Sequence, residues 1–326
     1  MDYILANVMQ ATSIIKGGLE VDRNKLGIII TSISAAGFGS MAIFAKIAYA
    51  HGSNVTTLLS IRFITAGLLF LLIMKLSKTS WGLNRKQLAY LIALGAAGYG
   101  VLSNLFFAGV ALIPASVASL LLYTYPTMVC ILAYLFGDER MYPQKVLALL
   151  ISAVGIILVL GPSFESLEIM GVIYVLSAAV LFAFYFVLSN KVLKEVHWLP
   201  SSTIVSLSAA VFFIVGGGIT GQIQYSVSTV AFLCAMGIAL FSTVLAIGGL
   251  YAGISMIGPS RAAIVSTLEP IVTVSLAAII FAEILSKEQL LGGALIVISI
   301  IVLQISRQKV WQGKRLVIER EEGESQ

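Results

Sequence analysis

Long runs of apolar residues, separated by short polar connections, make up most of this chain. Each run has the roughly 20 residues that a helix needs to cross a hydrocarbon layer about 30 Å thick. The connections carry residues that break helices, as in "HGSN" at 51–54 and "IGPS" at 257–260. The pattern predicts ten membrane-spanning helices, at 27–49, 56–76, 87–111, 115–136, 144–161, 169–190, 201–220, 228–254, 261–282 and 288–306.

The composition supports the same fold class, an all-α polytopic membrane protein. Of the 326 residues, 59% are hydrophobic and 11% are charged, and the mean hydropathy is +1.01. Soluble domains cannot bury that much apolar surface. The two cysteines lie in different apolar runs and the two histidines in separate loops, so we expect no disulfide, no metal site and no cofactor.

Lysine and arginine are distributed unevenly between the connections. With ten spans, 17 of the 20 basic residues fall on the side of the two termini, and only Lys287 falls on the other side. Basic residues accumulate in cytoplasmic connections. We therefore expect cytoplasmic terminal segments, 1–26 and 307–326, in a plasma (inner) membrane. The net charge of +5 then requires no nucleic acid as a partner.

The second half of the sequence repeats the first after a shift of 144 residues. The shift aligns Pro126 with Pro270 without a gap, and it defines two repeats of five spans, at 27–161 and 169–306. Because five is an odd number, the second repeat enters the membrane from the opposite side. Inverted repeats of this kind are a recurring basis of alternating access, with the substrate site at the repeat interface.

The two aligned prolines mark the expected functional centre and are the predicted hinges. A proline lacks a backbone donor and leaves carbonyl groups in the preceding turn to find other partners. Tyr125 and Glu269 directly precede them, about 15 Å and about 12 Å into their helices from opposite faces at 1.5 Å per residue. The repeat therefore predicts that these two side chains approach each other. Kinks that serve only packing are the alternative.

Four stretches share a pattern with one family of membrane proteins. They are "LLLYTYPTMVCILAYLFGDER" at 120–140, "AAIVSTLEPIVTVSLAAIIFAE" at 262–283, "RFITAGLLFLL" at 62–72 and "VLALLISAVGIILVL" at 146–160. Together they resemble EamA-type permeases of the drug/metabolite transporter superfamily, over residues 27–306. The resemblance implies a ten-helix secondary transporter that exports small organic metabolites, such as amino acids, through a central cavity lined by both repeats.

Polar and aromatic residues within the spans are the candidates for binding a solute or lining that cavity. One polar stripe, at helical spacing, contains Ser266, Glu269 and Thr273. Tyrosines combine an aromatic body with a hydroxyl and can hold an apolar or zwitterionic solute, although core packing is the alternative for each. The candidates are Glu269, Tyr125, Tyr99, Ser103, Tyr123, Tyr185, Ser266 and Thr273.

Charged residues near the ends of the predicted helices form a second group of candidates. Lys46 and Arg62 are expected either to reach water along their apolar stems or to form a structural ion pair. Alternatively, one of them pairs with Glu283 as part of a gate. Glu283 and its counterpart in the first repeat, Glu139, are expected to be interfacial, on opposite sides, and mainly structural.

Glu269 is also a candidate for coupling solute movement to protons. Burial disfavours the ionised form of a carboxyl group, so a change of surroundings can bind or release a proton. A gating or helix-stabilising function is the alternative. The sequence contains no P-loop or zinc-protease motif, so we do not expect an enzyme. A channel-like permease and an intramembrane enzyme remain the alternative functions, and the expected partners are a small solute, the lipid bilayer and protons.

Overall fold

The computed structural model describes residues 23–136, 141–161, 167–193 and 196–324, and within these ranges it is helical and contains no β-strand. The same ranges contain ten helical spans that are long and apolar enough to cross a membrane, each within four residues of its predicted bounds. Spans 1 to 10 are Arg23–Ala50, Val55–Leu76, Arg85–Leu112, Ala115–Leu135, Pro143–Leu160, Ile169–Ser189, Trp198–Thr220, Thr229–Ile257, Arg261–Phe281 and Lys287–Ile305. The last helix continues beyond its predicted end, to Glu324.

Successive spans run in opposite directions, so their connections alternate between two faces of the bundle. Arg23, at the start of span 1, donates a hydrogen bond to the carbonyl of Ser255 near the end of span 8. On the other side, the Ser228 hydroxyl before span 8 donates to the carbonyl of His51, which follows span 1. We call these two sides the Arg23 face and the Tyr225 face, since Tyr225 lies in the connection between spans 7 and 8.

Polar caps explain where several spans begin. The side chain of Asn54 accepts a hydrogen bond from the Thr57 N–H at 2.8 Å, and the Ser228 hydroxyl accepts one from the Ala231 N–H at 3.2 Å. The first N–H groups of a helix have no partner within the helix, and such side chains supply one. These two spans therefore begin directly after a residue that can satisfy the helix end.

Close contacts between glycines show how the two repeats pack on each other. Gly253 of span 8 packs against Gly27 of span 1, and Gly109 of span 3 packs against Gly171 of span 6. The two contacts are equivalent, because the shift of 144 residues converts Gly27 into Gly171 and Gly109 into Gly253. Such a reciprocal contact is that of two units related by a twofold axis. The first span of each repeat therefore packs on the third span of the other.

Two further pairs of equivalent spans pack directly against each other. Gly67 of span 2 faces Leu207 of span 7, and Gly155 of span 5 packs against the backbone of Gly292 in span 10. A Cβ at Gly155 would lie 2.8 Å from the Gly292 carbonyl oxygen, which only glycine at this position permits. These contacts also join the first repeat to the second, so the buried core is shared between the repeats.

Helix irregularities occur in equivalent pairs. Spans 3 and 8 each contain a π-helical segment, and spans 4 and 9 are each interrupted by a turn just before their proline. In addition, span 1 is interrupted at Ser40. Short π-helical segments are frequent at functional sites. The pieces are Arg23–Gly39 and Met41–Ala50 in span 1; Arg85–Ala93, the π segment Leu94–Gly100 and Val101–Leu112 in span 3; Ala115–Leu122 and Tyr125–Leu135 in span 4; Thr229–Ala239, the π segment Leu240–Leu245 and Ala246–Ile257 in span 8; and Pro259–Ser266 and Leu268–Phe281 in span 9.

Candidate functional site

The guanidinium group of Arg62 lies inside the bundle. The residue is about two turns into span 2, and its side chain is only 1% exposed. Its Nε donates a hydrogen bond to Thr243 Oγ1 at 3.2 Å, and its Nη2 donates to the Tyr99 hydroxyl at 3.4 Å. The expectation that Arg62 reaches water is therefore wrong. The rotation of span 2 turns this side chain toward spans 3 and 8, and only tertiary packing determines that rotation.

The two hydrogen-bond acceptors of Arg62 are equivalent residues of the two repeats. Tyr99 and Thr243 are 144 positions apart, and each lies in a π-helical segment. A group that contacts both members of a twofold-related pair lies close to the axis that relates them. The guanidinium group therefore marks the repeat interface. Ser103, one turn beyond Tyr99 on the same helix face, is also buried, at 3% exposure.

Aromatic rings surround the positive charge of Arg62. Its Cζ lies 4.7 Å from the ring centroid of Phe63, 5.3 Å from that of Phe107 and 6.0 Å from that of Tyr99. Ring faces attract cations at such distances. Among the described residues, no carboxylate pairs with the guanidinium group. A buried charge without an opposite charge costs several kcal/mol, so this arrangement is not explained by stability alone.

A row of aromatic rings leads from Arg62 across the repeat interface. The ring centroids of Tyr99 and Tyr185 are 5.5 Å apart, those of Tyr185 and Phe182 are 6.3 Å apart, and those of Phe182 and Tyr125 are 4.3 Å apart. Spans 3, 6 and 4 supply these rings. The three tyrosines were predicted from the sequence, whereas Phe182 was not, because a phenylalanine in an apolar run carries no polar signal.

Glu269 and its equivalent residue Tyr125 meet at the far end of this aromatic row. Tyr125 and its neighbour Tyr123 both lie within electrostatic range of the Glu269 carboxylate, which agrees with the predicted approach of Tyr125 and Glu269. The Glu269 side chain is partly buried, and no described residue donates a hydrogen bond to its carboxylate. The repeat interface therefore contains a carboxylate without a hydrogen-bond donor or a cation beside it in the described structure.

A side chain of the other repeat bonds to the backbone carbonyl that Pro270 leaves free. In a regular helix, the N–H of residue 270 would reach the carbonyl of Ser266, but proline has no N–H. The buried hydroxyl of Tyr123 donates to the Ser266 carbonyl instead. The carbonyl that Pro270 leaves free in span 9 is thus satisfied by span 4, and this bond joins the two interrupted spans.

Two of the predicted cavity residues use their hydroxyls for the backbone. Ser266 Oγ donates to the carbonyl of Ala262 at 2.9 Å, and Thr273 Oγ1 donates to the carbonyl of Gly39 at 2.8 Å. The second bond holds span 9 against span 1, next to the interruption of span 1. Of the predicted polar stripe, Glu269 is therefore the member whose side chain makes no hydrogen bond to a described residue.

Glu283 caps a helix and forms no ion pair with a described residue. Its carboxylate accepts hydrogen bonds from the Ala115 N–H at 3.0 Å, from the Ser116 N–H at 3.0 Å and from the Ser116 hydroxyl at 2.6 Å. Lys46, which is partly buried, interacts with it electrostatically. These contacts support the structural function predicted for Glu283. Its counterpart Glu139 lies outside the described residues.

Comparison with protein families connects these features to a known group of proteins. A model of the EamA-like transporter family matches residues 25–161 and, a second time, residues 169–305. The chain belongs to the EamA-like transporter family. The two matches begin 144 residues apart, so this EamA-like transporter contains the family domain twice, as its repeat predicts. With its ten apolar spans, it is an integral membrane protein.

Relatives of this EamA-like transporter are named uncharacterized transporters. An uncharacterized transporter of Archaeoglobus fulgidus is 27% identical over 249 residues, which cover 75% of this chain and 86% of that protein. The uncharacterized transporter sll1319 of Synechocystis is 24% identical over 323 residues, which cover 89% and 97%. A solved crystal structure has the same fold, with a TM-score of 0.61 at 16% identity, over 87% of this chain and 98% of that one.

Proposed function

We propose that this EamA-like transporter is a secondary carrier that moves small organic solutes by alternating access. The observation that carries this proposal is that equivalent residues of the two repeats lie close together. Tyr99 and its equivalent Thr243 both bond to Arg62, and Tyr125 lies within electrostatic range of its equivalent Glu269. In transporters built from inverted repeats, the solute binds at the repeat interface where helices are discontinuous. The π-helical segments and the interrupted spans supply such discontinuities here.

The chemistry of the site favours a solute with an apolar body and a charged or polar group. The aromatic row offers ring faces with a few hydroxyl groups, and a charged residue stands at either end of it. Amino acids and related metabolites have this character. We further propose that the carrier lies in the plasma membrane with the Arg23 face toward the cytoplasm, because that face collects the basic residues. The direction that we propose, export, is the one that the resemblance to EamA-type permeases implies.

Glu269 is the proposed coupling residue for protons. Its carboxylate has no described donor to stabilise the ionised form, so the enclosed site favours protonation. Opening of the site to water favours the ionised form. A carrier that alternates between these states moves a proton together with, or against, its solute.

Counterflow in proteoliposomes tests the carrier. A panel of amino acids and related metabolites is first screened for compounds that raise the melting temperature of the purified chain in detergent, because a ligand of the folded state stabilises it. Vesicles are then loaded with the unlabelled compound and diluted into the labelled one. A carrier accumulates the label transiently above its equilibrium level. Simple equilibration indicates a channel, and a chemically altered compound indicates an enzyme; either result contradicts the proposal.

Glu269→Gln separates coupling from binding. The amide keeps the size of the side chain but exchanges no proton, so we expect solute binding and counterflow to remain and accumulation driven by a pH gradient to be lost. Accumulation is measured with the same labelled solute at several external pH values. Glu288→Gln, at the exposed start of span 10, removes a carboxylate elsewhere and should leave the pH dependence unchanged. A Glu269→Gln protein with the pH dependence of the parent would show that Glu269 is not the coupling residue.

A further inference from the structure

We propose that Arg62 binds the anionic group of the solute, and that the solute is a monocarboxylate with an apolar or aromatic body. The inference rests on the proposed function and assigns one end of the transport site. It is based on the position of a buried guanidinium group that lies between equivalent residues of the two repeats, beside a row of aromatic rings.

The guanidinium group of Arg62 still has hydrogen-bond donors to offer. Its Nε and Nη2 each make one bond to a described residue, whereas its Nη1 makes none. The described structure contains no fully enclosed side-chain nitrogen or oxygen without a partner, so Nη1 keeps a small accessible surface, although Arg62 as a whole is only 1% exposed. The buried hydroxyl of Ser103, on the same helix face as Tyr99, also makes no side-chain hydrogen bond to a described residue.

A carboxylate fits this group better than a more highly charged anion does. A guanidinium group presents its N–H donors in a planar fork that matches the two oxygens of a carboxylate. In the described part of the aromatic row, Arg62 is the only cation, so it can neutralise one negative charge. A phosphate dianion would retain an unpaired charge among the rings. Arg62 is a buried cation with no carboxylate beside it in the described structure. The carboxylate of a solute would supply the missing negative charge.

The rest of the site indicates the body of the solute. The rings of Tyr99, Tyr185 and Tyr125 extend from the guanidinium group toward Glu269, and their faces suit an aromatic or branched aliphatic group. In any state in which Glu269 is ionised, it would repel a second carboxylate at the far end of the row. Monocarboxylates with or without an amino group are thus favoured over dicarboxylates.

Matched pairs of acids and amides test the inference on the unmodified chain. The probes are L-phenylalanine, L-leucine and 3-phenylpropionate, each compared with its carboxamide, and binding to the purified protein in detergent is measured by thermal shift and by isothermal titration. Loss of the carboxylate leaves the guanidinium group without its anionic partner, so we expect the preferred acid to bind at least about tenfold more tightly than its amide. Equal binding of acid and amide, or binding of none of the acids, overturns the inference.

Variants of Arg62 then show whether the guanidinium group causes the preference. Arg62→Gln should bind acid and amide within about twofold of each other, and Arg62→Lys should keep part of the preference because it keeps the charge. Lys75→Gln removes a positive charge from an exposed position of the same span and should keep the full preference. A full preference in Arg62→Gln overturns the inference. If Arg62→Gln does not fold, the comparison of acids with amides in the unmodified chain decides.

The two proposals fail in different experiments. If only amides or amines bind, and they show counterflow, the carrier function stands and the carboxylate site at Arg62 is wrong. If an acid binds in an Arg62-dependent manner but shows no counterflow, the carboxylate site stands and the carrier function is wrong.

Discussion

In the described part of the aromatic row, each repeat contributes one charged side chain, Arg62 or Glu269, and the equivalent residue of the other repeat is uncharged. The shift of 144 residues places Ser206 opposite Arg62 and Tyr125 opposite Glu269. The backbone around the site is therefore related by a twofold axis, whereas the charges are not. A symmetric site would offer a polar solute two equivalent orientations. One cation and one carboxylate at different ends favour a single orientation.

The carboxylate of Glu283 stabilises a helix end, because it accepts hydrogen bonds at the N-terminus of span 4. In Glu283→Gln the amide nitrogen cannot accept the hydrogen bonds that one carboxylate oxygen receives from the Ser116 N–H and hydroxyl. We expect this substitution to lower the free energy of unfolding by about 1–2 kcal/mol. Denaturation of the purified protein in detergent measures it.

Solute binding distinguishes this structural function from a direct contact with the solute. The Glu283→Gln protein should bind the solute with the affinity of the parent once it is folded. Glu168→Gln, at an exposed position before span 6, should change neither quantity. Unchanged stability combined with a loss of binding in Glu283→Gln would show that Glu283 contacts the solute.

Among the elements, the interrupted spans 4 and 9 depend on each other. Pro270 frees the carbonyl of Ser266, and the Tyr123 hydroxyl satisfies it from the other repeat. Tyr123→Phe leaves that carbonyl without a partner inside the bundle, which should lower the free energy of unfolding by about 1–3 kcal/mol. Unfolding in detergent, with the parent measured alongside, gives the value.

A double-mutant cycle tests whether Pro270 is the reason for this bond. In Pro270→Ala, the restored N–H of residue 270 can donate to the Ser266 carbonyl within its own helix. Tyr123→Phe should therefore cost less in that background, with a coupling of about 1 kcal/mol between the two sites. Equal costs in the two backgrounds would mean that Tyr123 stabilises the protein through its ring contacts alone.

The span boundaries, the repeat and the interruptions next to Pro126 and Pro270 were predictable from sequence because they follow from composition and from helix breakers. The meeting of Tyr125 and Glu269 was predictable too, since the repeat makes them equivalent. The burial of Arg62 was not, because hydropathy reports how long a span is and not how it is rotated. Thr243 was missed for the same reason: one threonine in an apolar run gains significance only from its distance to Arg62.

At the scale of the whole molecule, the groups of spans in closest contact mix the two repeats. Span 1 packs on spans 8 and 9, and span 6 packs on spans 3 and 4. The bonds from Arg62 to Tyr99 and Thr243 reach both groups, and so does the bond from Tyr123 to Ser266. A solute held at Arg62, as proposed, would lie where these two groups meet, and rocking of one group against the other would open that place to either side of the membrane.

The orientation of the whole molecule determines which side each opening faces. The basic residues gather on the Arg23 face, so we expect that face in the cytoplasm and the Tyr225 face outside. Tyr225 is 95% exposed, and Ser80 is exposed in the connection between spans 2 and 3 on the Arg23 face. A single cysteine at either position reports the side on which it lies.

Labelling of intact cells with a thiol reagent that does not cross the membrane tests this orientation. The background carries Cys130→Ala and Cys234→Ala, which remove the two buried native thiols. Tyr225→Cys should be labelled in intact cells because its face is outside, whereas Ser80→Cys should be labelled only after the cells are permeabilised. Both variants must react equally in detergent, which shows that both thiols are accessible. The reverse pattern would place the Arg23 face outside, and labelling of both variants in intact cells would contradict the assignment of the two connections to opposite faces.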